Sequence, residues 1–387
     1  MKKVCVVTTT RADYGLLAPM IKKLAMDKEI DLTLLVGGTH LLNEFGMTKN
    51  EIIQDGFIKY IKEVPIIKNA NDTPCQIFAQ TITEFEKELS SINPDCVVIL
   101  GDRFEILAVA SVCTLLNIPL VHISGGDVTM GAIDDACRHA TTKMANLHFT
   151  GSQHMANRVI QMGENPDTVF NVGEPGIENI LNTELLSFDE LKQSLKWDSL
   201  EKGKYIVFTY HPETLNDEKP LKQIKSLIKF VKKHNEFQYI ITKSNIDCGG
   251  QEINDYIKSS IKGCNNIIFV DSLGYKRYLS AVKYCALVMG NSSSGIVEVP
   301  YLSVPTINIG NRQQGREQAH SIVNTDLQAN NLEKALQKCN DIEFRNKCKD
   351  IKYIYGDGNT SSKIVQILKQ KLNSNNLQKK KEFFEKD

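Results

Sequence analysis

The sequence predicts an α/β protein built from two Rossmann-like domains in tandem. Short apolar, β-branched runs recur along the chain without polar alternation, and segments of helical spacing such as LLAPMIKKLA and ILAVASVCTLLN separate them. Nearly every run ends in glycine or polar residues. Strands that are apolar on both faces and alternate with helices form parallel sheets covered on both sides. We therefore expect two such domains facing each other across a cleft, with ligands beyond the carboxyl ends of the strands.

The first domain is predicted to span residues 1–172 and the second residues 173–352, with the hinge at the Gly/Pro cluster GEPGIENI. Residues 353–372 are predicted to form a C-terminal helix, and residues 373–387 a polar tail that is either frayed or a partner contact. The expected strands are 3–9, 31–37, 95–101, 119–124, 147–151 and 168–173 in the first domain, and 205–211, 237–243, 266–272, 285–290 and 304–310 in the second.

The composition argues against several classes of partner. The 387 residues include 46 basic and 46 acidic side chains, so the neutral chain lacks the charge that nucleic acid or an anionic membrane would attract. The ten cysteines are scattered without a CxxC pair, which argues against a metal centre or a disulfide framework. The chain lacks a signal-peptide pattern and any apolar run of about 18 residues. We expect a cytoplasmic protein that acts on a small molecule.

The segment GNSSSGIVE (290–298) follows a buried strand and opens a helix. Ser292, Ser293, Ser294 and Gly295 offer hydroxyl and backbone donors at a helix start, where an anion such as a diphosphate is favoured. Glu298, one turn later, could accept hydrogen bonds from ribose hydroxyls. The alternative is a well-capped helix without a ligand. The segment is neither a P-loop nor GxGxxG, which disfavours ATP hydrolysis and NAD binding.

Four cationic side chains follow other predicted strands. Arg312 and Arg316 in NRQQGRE are suited to bidentate phosphate contacts, and Arg11 in TTTRADYG is placed to reach the cleft. His211 in FTYHPET could hydrogen-bond a phosphate or the leaving oxygen. Each has a structural alternative, namely a surface ion pair for the arginines and a core hydrogen bond for the histidine.

Carboxylates cluster after two strands of the first domain. Asp102 in LGDRFE could act as a general base, or could simply pair with Arg103. In VHISGGDVTMGAIDDACRH, Asp127 lies in a glycine loop, while Asp134 and Asp135 lie near a helix start. Helix capping and an i,i+4 pair with Arg138 explain one aspartate but not three. The group lacks histidine in a ligand spacing, so we predict acid/base work without a resident metal, although an assisting divalent ion remains an alternative.

Taken together, these motifs resemble the hydrolysing branch of the UDP-N-acetylglucosamine 2-epimerase family. The resemblance covers roughly residues 1–370. The matching motifs are TRADYG (10–15), GDRFE (101–105), HISGGDVTMGAIDDACRHATTK (122–143), YHPET (210–214), SNIDCGG (244–250), GNSSSGIVE (290–298), NIGNRQQGRE (308–317) and IYGDGN (354–359).

The resemblance implies a GT-B-like arrangement of the two domains, with the C-terminal helix crossing back to the first. It also implies a homodimer or homotetramer, no cofactor, and a nucleotide-sugar substrate whose nucleotide lies on the second domain. Carried over by motif, His211, Ser292, Ser293, Glu298 and Arg312 would hold UDP with help from Arg11, and Asp102 and Asp134 would be catalytic, with Asp135 and Arg138 beside them.

One position departs from the family pattern. Ser124 stands where many relatives have a glutamate that is counted as catalytic, and Asp127, three residues later, is a candidate to replace it. The expected activity is hydrolysis of UDP-N-acetylglucosamine to N-acetylmannosamine and UDP through a glycal, for sialic-acid synthesis. The alternative substrate within the class is UDP- or GDP-N,N'-diacetylbacillosamine, for legionaminic acid synthesis. A GT-B glycosyltransferase and a non-catalytic nucleotide-sugar sensor are the rivals outside it.

Overall fold

The computed structural model describes residues 1–69, 71–129, 133–212, 219–244, 250–351, 353–374, 377 and 383–385. The chain divides into two units, one made of residues 1–128, 132–179 and 355–387, and the other of residues 129–131 and 180–354. Parts of the motifs at 122–143, 210–214 and 244–250, and most of the predicted tail, lie outside the described residues.

Each unit contains one parallel sheet. The sheet of the first unit has the strand order β3-β2-β1-β4-β5-β6-β7, and that of the second has the order β10-β9-β8-β11-β12-β13. Every described strand pair is parallel. The strands are β1 Lys2–Thr8, β2 Ile30–Gly37, β3 Ile61–Val64, β4 Cys96–Leu100, β5 Leu120–Ile123, β6 Leu147–Thr150, β7 Val169–Asn171, β8 Tyr205–Thr209, β9 Gln238–Thr242, β10 Ile267–Val270, β11 Leu287–Gly290, β12 Thr306–Ile309 and β13 Ile322–Thr325.

Helices connect the strands along the chain. They are α1 Arg11–Met26, α2 Lys49–Gln54, α3 Pro74–Ile92, α4 Phe104–Leu115, α5 Ile133–Met144, α6 Gln153–Gln161, α7 Pro175–Asn182, α8 Phe188–Leu195, α9 Pro220–Lys233, α10 Gly250–Ser260, α11 Gly274–Tyr284, α12 Ser294–Val297, α13 Ala329–Asn340, α14 Ile342–Lys347 and α15 Thr360–Asn373. Short 3-10 helices lie at Gly38–Leu41, Asn43–Phe45, Ile58–Tyr60, Pro166–Thr168 and Val299–Leu302. Within the described part of the chain, no helix is long and apolar enough to cross a membrane.

The apolar runs are strands because both faces of each sheet are covered. In β1, Val4 and Val6 pack into one core cluster, whereas Cys5 and Val7 pack into another. Successive side chains of a strand point to opposite faces, so a strand buried on both sides has no polar position to alternate with. The α/β fold with two parallel sheets that the sequence predicts is confirmed.

Two strands were not expected from the sequence. The segments IKEV (β3) and IVNT (β13) lie at sheet edges, where one side of the strand lacks a partner in the sheet. Edge strands are short and carry polar or charged side chains, so they lack the continuous apolar run that marks the inner strands.

The last helix belongs to the first unit. Ile364, Leu368 and Leu372 of α15 pack in the same core cluster as Leu17 and Leu24 of α1. The sequence placed the domain boundary after residue 172, whereas the two units divide after residue 179. Glu174 and Glu178 lie in the first unit because they are bonded to the C-terminal segment that returns to it. The Glu174 N–H donates to the Tyr355 carbonyl at 2.8 Å, and the Ser361 N–H donates to Glu178 Oε2 at 2.6 Å.

Candidate active site

Asp102 follows β4 at the carboxyl edge of the first sheet, and the neighbouring strand helps to fix its loop. The His122 ring on β5 lies with Nε2 2.8 Å from the Gly101 carbonyl and Nδ1 3.2 Å from the Thr142 hydroxyl. Burial lowers the pKa of His122 to about 3. The ring is therefore neutral, with Nε2 donating to the carbonyl and Nδ1 accepting from the hydroxyl.

Arg138 on α5 links two of the predicted carboxylates. Its side chain is only 4% exposed; Nη2 is in close contact with Asp102 Oδ2, and Nη1 lies 3.6 Å from Asp135 Oδ1. Asp135 also lies 3.5 Å from the His139 ring. Because one buried guanidinium pairs with both carboxylates, it restrains the positions of Asp102 and Asp135.

Asp134 lies in the first turn of α5, and its charge acts on a second arginine, Arg103. Arg103 donates to Glu105 Oε1 at 2.6 Å and to Oε2 at 3.2 Å, so it does not serve as the partner of Asp102 that the sequence suggested. Burial lowers the pKa of Arg103, but the Glu105 bond and the charges of Glu105, Asp13 and Asp134 raise it on balance. The negative charge of Asp134 therefore favours the charged form of this guanidinium.

Asp127 lies in a loop that other elements hold from two sides. Ser124, directly after β5, has φ of +62°, and its hydroxyl donates to Glu174 Oε2 at 2.7 Å. The Arg158 guanidinium on α6 donates to the carbonyl of Gly126, in a close contact. A carboxylate therefore does lie beside Ser124, but it comes from the turn after β7.

The TTTRADYG segment is organised around Asp13 rather than Arg11. The Asp13 carboxylate is 7% exposed and accepts from the backbone N–H groups of Thr9 and Thr10 at 3.1 and 3.0 Å. It forms a capping box with Thr10 at the start of α1. The side chain of Arg11 is 68% exposed and pairs with Glu51 at 2.9 Å.

The serine-rich segment of the second unit follows β11, as predicted. Its Ser294 hydroxyl donates to Glu298 Oε2 at 2.6 Å and lies 2.8 Å from the Tyr278 hydroxyl. Burial raises the pKa of Glu298. Ser292, Ser293 and Gly295 lie in the turn and short helix between β11 and Glu298, so the structure brings this set together.

His211 and Arg312 meet around Asn291, which the sequence did not single out. The buried Asn291 amide accepts from the His211 N–H at 2.7 Å and donates to the His211 carbonyl at 2.9 Å. Arg312 Nη1 donates to the Asn291 carbonyl at 3.3 Å. Arg316 lies four residues further, with its N–H 3.4 Å from the Gln313 carbonyl. An amide can satisfy both backbone groups of one residue, so Asn291 fixes the main chain that carries His211.

Sequence reasoning missed Glu105, Glu174, Arg158 and Asn291. Glu105 lay inside the GDRFE motif and Asn291 inside GNSSSGIVE, whereas Arg158 and Glu174 lay outside the motifs. Among the described residues, no group of three or more histidine, cysteine, aspartate and glutamate side chains is arranged to hold a metal ion.

A family model described as UDP-N-acetylglucosamine 2-epimerase matches residues 22–369. The chain belongs to the UDP-N-acetylglucosamine 2-epimerase family, as its motifs predict, and it is a hydrolysing nucleotide-sugar 2-epimerase.

Three relatives are similar over most of their length. A Campylobacter jejuni protein named GDP/UDP-N,N'-diacetylbacillosamine 2-epimerase (hydrolyzing) is 39% identical over 348 residues, which cover 89% of each chain. Polysialic acid biosynthesis protein P7 of Escherichia coli is 37% identical and covers 97% of this chain and 96% of its own. UDP-N,N'-diacetylbacillosamine 2-epimerase (hydrolyzing) of Legionella pneumophila is 33% identical over 95% of this chain and 96% of its own.

A solved structure supports the fold. The Neisseria meningitidis UDP-GlcNAc 2-epimerase bound to UDP-GlcNAc matches with a TM-score of 0.80 at 19% identity, covering 95% of this chain and all of the other. At that identity the match carries the fold alone.

Proposed function

We propose that this enzyme hydrolyses a nucleotide-linked N,N'-diacetylbacillosamine and inverts the sugar at C2. The observation that carries the proposal is the 39% identity to the Campylobacter jejuni enzyme named for that sugar, joined by the Legionella pneumophila enzyme at 33%. The sequence analysis placed UDP-N-acetylglucosamine first and this sugar second. The names of the relatives favour the second over the first, with either UDP or GDP as the nucleotide.

The reaction proceeds in two balanced steps. A carboxylate removes the C2 proton while the C1–O bond breaks, and its electron pair leaves with the nucleoside diphosphate, so that C1 and C2 become doubly bonded. Water then adds its hydroxyl to C1, and a proton arrives at C2 from the opposite face. The products are the nucleoside diphosphate and the free sugar of inverted C2 configuration. The two proton transfers on opposite faces require at least one base and one acid, and carboxyl groups in different environments can fill these two roles.

We assign this chemistry to the first unit. Asp102, Asp127 and Asp134 are the candidates for proton transfer, since each follows the carboxyl end of a strand or opens the helix beyond it. Arg138 and Asp135 orient Asp102 through the ion pairs described above. Supporting this assignment, Asp102 and Asp127 lie in loops held by side chains of other elements, because His122 bonds the loop of one and Arg158 that of the other.

We assign the nucleotide to the second unit, with a contribution from Arg11. Ser292, Ser293, Ser294 and Gly295 offer donors to the diphosphate, and Arg312, Arg316 and His211 offer positive or polar contacts. Glu298 would accept from the ribose hydroxyls. Donors aimed at the diphosphate stabilise the negative charge that develops as it leaves.

The test is proton NMR in D₂O of the purified enzyme with UDP- and GDP-N,N'-diacetylbacillosamine and with UDP-N-acetylglucosamine. We expect one bacillosamine nucleotide to give a free sugar that carries deuterium at C2, together with the nucleoside diphosphate. Asp134→Asn should abolish both signals, whereas Asp31→Asn, at an exposed position on β2, is the matched control. Turnover of UDP-N-acetylglucosamine alone would refute the proposed sugar and leave the enzyme class intact.

UDP-N-acetylglucosamine is the second candidate substrate. The specific observation in its favour is the 37% identity to a protein named for polysialic acid biosynthesis. The N-acetylmannosamine that this substrate would yield is the product expected from the sequence to feed sialic-acid synthesis. The same NMR experiment separates the two, because the products differ in the substituents at C4 and C6. Binding of the three nucleotide sugars without release of UDP or GDP would instead indicate a non-catalytic nucleotide-sugar sensor.

A further inference from the structure

A side-chain contact ties the start of the loop that carries Asp127 to a distant part of the first unit. The Ser124 hydroxyl donates to Glu174 Oε2 at 2.7 Å, although the two residues are 50 positions apart. A distance of 2.7 Å is usual for a hydroxyl that donates to an oxygen acceptor. The contact bridges the ends of β5 and β7, with β6 between them.

Ser124 adopts a backbone conformation that residues with a side chain rarely take. Its φ is +62°, and its N–H donates to the Phe149 carbonyl at 2.8 Å. A left-handed conformation costs a residue other than glycine free energy, and it persists where surrounding contacts hold it. The Glu174 bond is one of those contacts, and it acts at the residue where the chain turns from β5 into the Asp127 loop.

Two further contacts fix the position of Glu174. Its backbone N–H donates to the Tyr355 carbonyl at 2.8 Å, which anchors it to the returning C-terminal segment. Its carboxylate lies directly over Gly151, so close that a Cβ at residue 151 would be 2.0 Å from Oε1. Glycine at 151 therefore leaves room for the carboxylate to reach Ser124.

We propose that Ser124 and Glu174 are positioning residues, which fix the Asp127 loop in the geometry that proton transfer needs. This inference rests on the role proposed for Asp127. Arg158 donates to the Gly126 carbonyl of the same loop. Hydrogen bonds therefore hold the loop both before Gly125, at Ser124, and after it, at Gly126. Glu174 acts through the Ser124 hydroxyl, so an uncharged acceptor of the same shape can replace it.

Three variants separate the hydrogen bond from its side effects. Ser124→Gly removes the hydroxyl and suits the positive φ, so the fold is preserved. Glu174→Ala removes the acceptor, whereas Glu174→Gln keeps an oxygen that can accept from Ser124. The double variant Ser124→Gly/Glu174→Ala closes a double-mutant cycle.

The chain offers a matched control one turn further along α7. The Glu178 carboxylate accepts from both the backbone N–H and the hydroxyl of Ser361, so the same pair of residue types here ties α15 to α7. Glu178→Ala should lower the melting temperature and leave kcat of the folded enzyme unchanged.

The experiment measures kcat and KM on whichever nucleotide sugar the wild type turns over, and amide hydrogen exchange of residues 125–129 without substrate. We expect Ser124→Gly and Glu174→Ala each to lower kcat by about 10²-fold with KM unchanged, since displacement of a catalytic group by about 1 Å costs that much. The double variant should be no worse than either single one, and Glu174→Gln should recover most of the rate. Exchange in the loop should be faster in Ser124→Gly and Glu174→Ala but not in Glu178→Ala.

Four outcomes would overturn the inference. They are additive losses in the double variant, Glu174→Gln as impaired as Glu174→Ala, an unchanged kcat, or unchanged loop exchange. The exchange measurement decides the inference even if none of the sugars tested is the substrate. Failure of the proposed sugar would be visible in the wild type alone.

Discussion

The buried histidine beside the Asp102 loop should make the first unit sensitive to mild acid. Burial lowers the pKa of His122 from its ordinary 6.5 to about 3 in the folded protein. Between these two values the unfolded chain binds one proton more than the folded chain. The stabilising effect is therefore complete above pH 6.5 and is lost progressively as the pH falls toward 3.

The expected magnitude follows from the two pKa values. Between pH 7 and pH 5, protonation of the unfolded histidine lowers the free energy of unfolding by about 2 kcal/mol. The assay is urea unfolding at both pH values, followed by far-ultraviolet circular dichroism, for the wild type and His122→Gln. For each protein, the change in the free energy of unfolding between the two pH values is determined. Subtracting the change for His122→Gln from that for the wild type cancels the contribution of every other titrating group that the two proteins share.

We expect the wild type to lose about 2 kcal/mol more than His122→Gln on acidification. His154→Gln, which removes an exposed histidine from the same unit, is the matched control. Trp197, the single tryptophan, packs in a core cluster of the second unit, so its fluorescence reports that unit separately and should show no difference between the variants. Equal pH losses in the wild type and His122→Gln would refute the assignment of a neutral, buried ring.

Two further substitutions test the packing of the sites. Arg138→Met should lower the free energy of unfolding by about 3 kcal/mol, because it removes a guanidinium that is 4% exposed from two carboxylates. In urea titrations, Arg138→Met/Asp102→Asn should recover part of that loss, and no recovery would argue against the ion pair between Arg138 and Asp102. Gly290→Ala should lower the free energy of unfolding by about 3 kcal/mol or more, followed by Trp197 fluorescence, because φ is +134° and the new Cβ would lie 1.8 Å from the Thr209 carbonyl oxygen. Gly203→Ala is the control, since residue 203 has a positive φ but open space around it, and it should lower the free energy by only about 1 kcal/mol. Equal losses in the two variants would contradict the clash at residue 290.

The sequence predicted well those features that depend on local pattern. The inner strands are continuous apolar runs, and the polar residues after them do lie at the carboxyl edges, because a strand end and its following loop are contiguous in the chain. The positions of Asp102 after β4, of Asp134 and Asp135 at the start of α5, and of the serine-rich segment after β11 could be predicted in this way.

Pairing between distant segments could not be predicted from the same pattern. By spacing, the sequence offered Arg103 as a partner of Asp102 and Arg138 as a partner of Asp134. The structure pairs Arg138 with Asp102 and Arg103 with Glu105. Glu174 could not be connected with Ser124, since the contact requires the order of β5, β6 and β7 in the sheet. An isolated glutamate in a Gly/Pro segment carries no local signal of that order.

The place of α15 in the core of the first unit has a consequence for synthesis on the ribosome. Ile364, Leu368 and Leu372 emerge only after the whole of the second unit, yet they complete the core that α1 begins. Each such side chain contributes about 1.5–3 kcal/mol when buried, so the nascent first unit lacks several kcal/mol until α15 has been synthesised. During that interval the apolar side of α1 is uncovered, while residues 180–354 already contain their entire sheet. The second unit can therefore mature first, and the nascent first unit is the part that chaperones would need to protect.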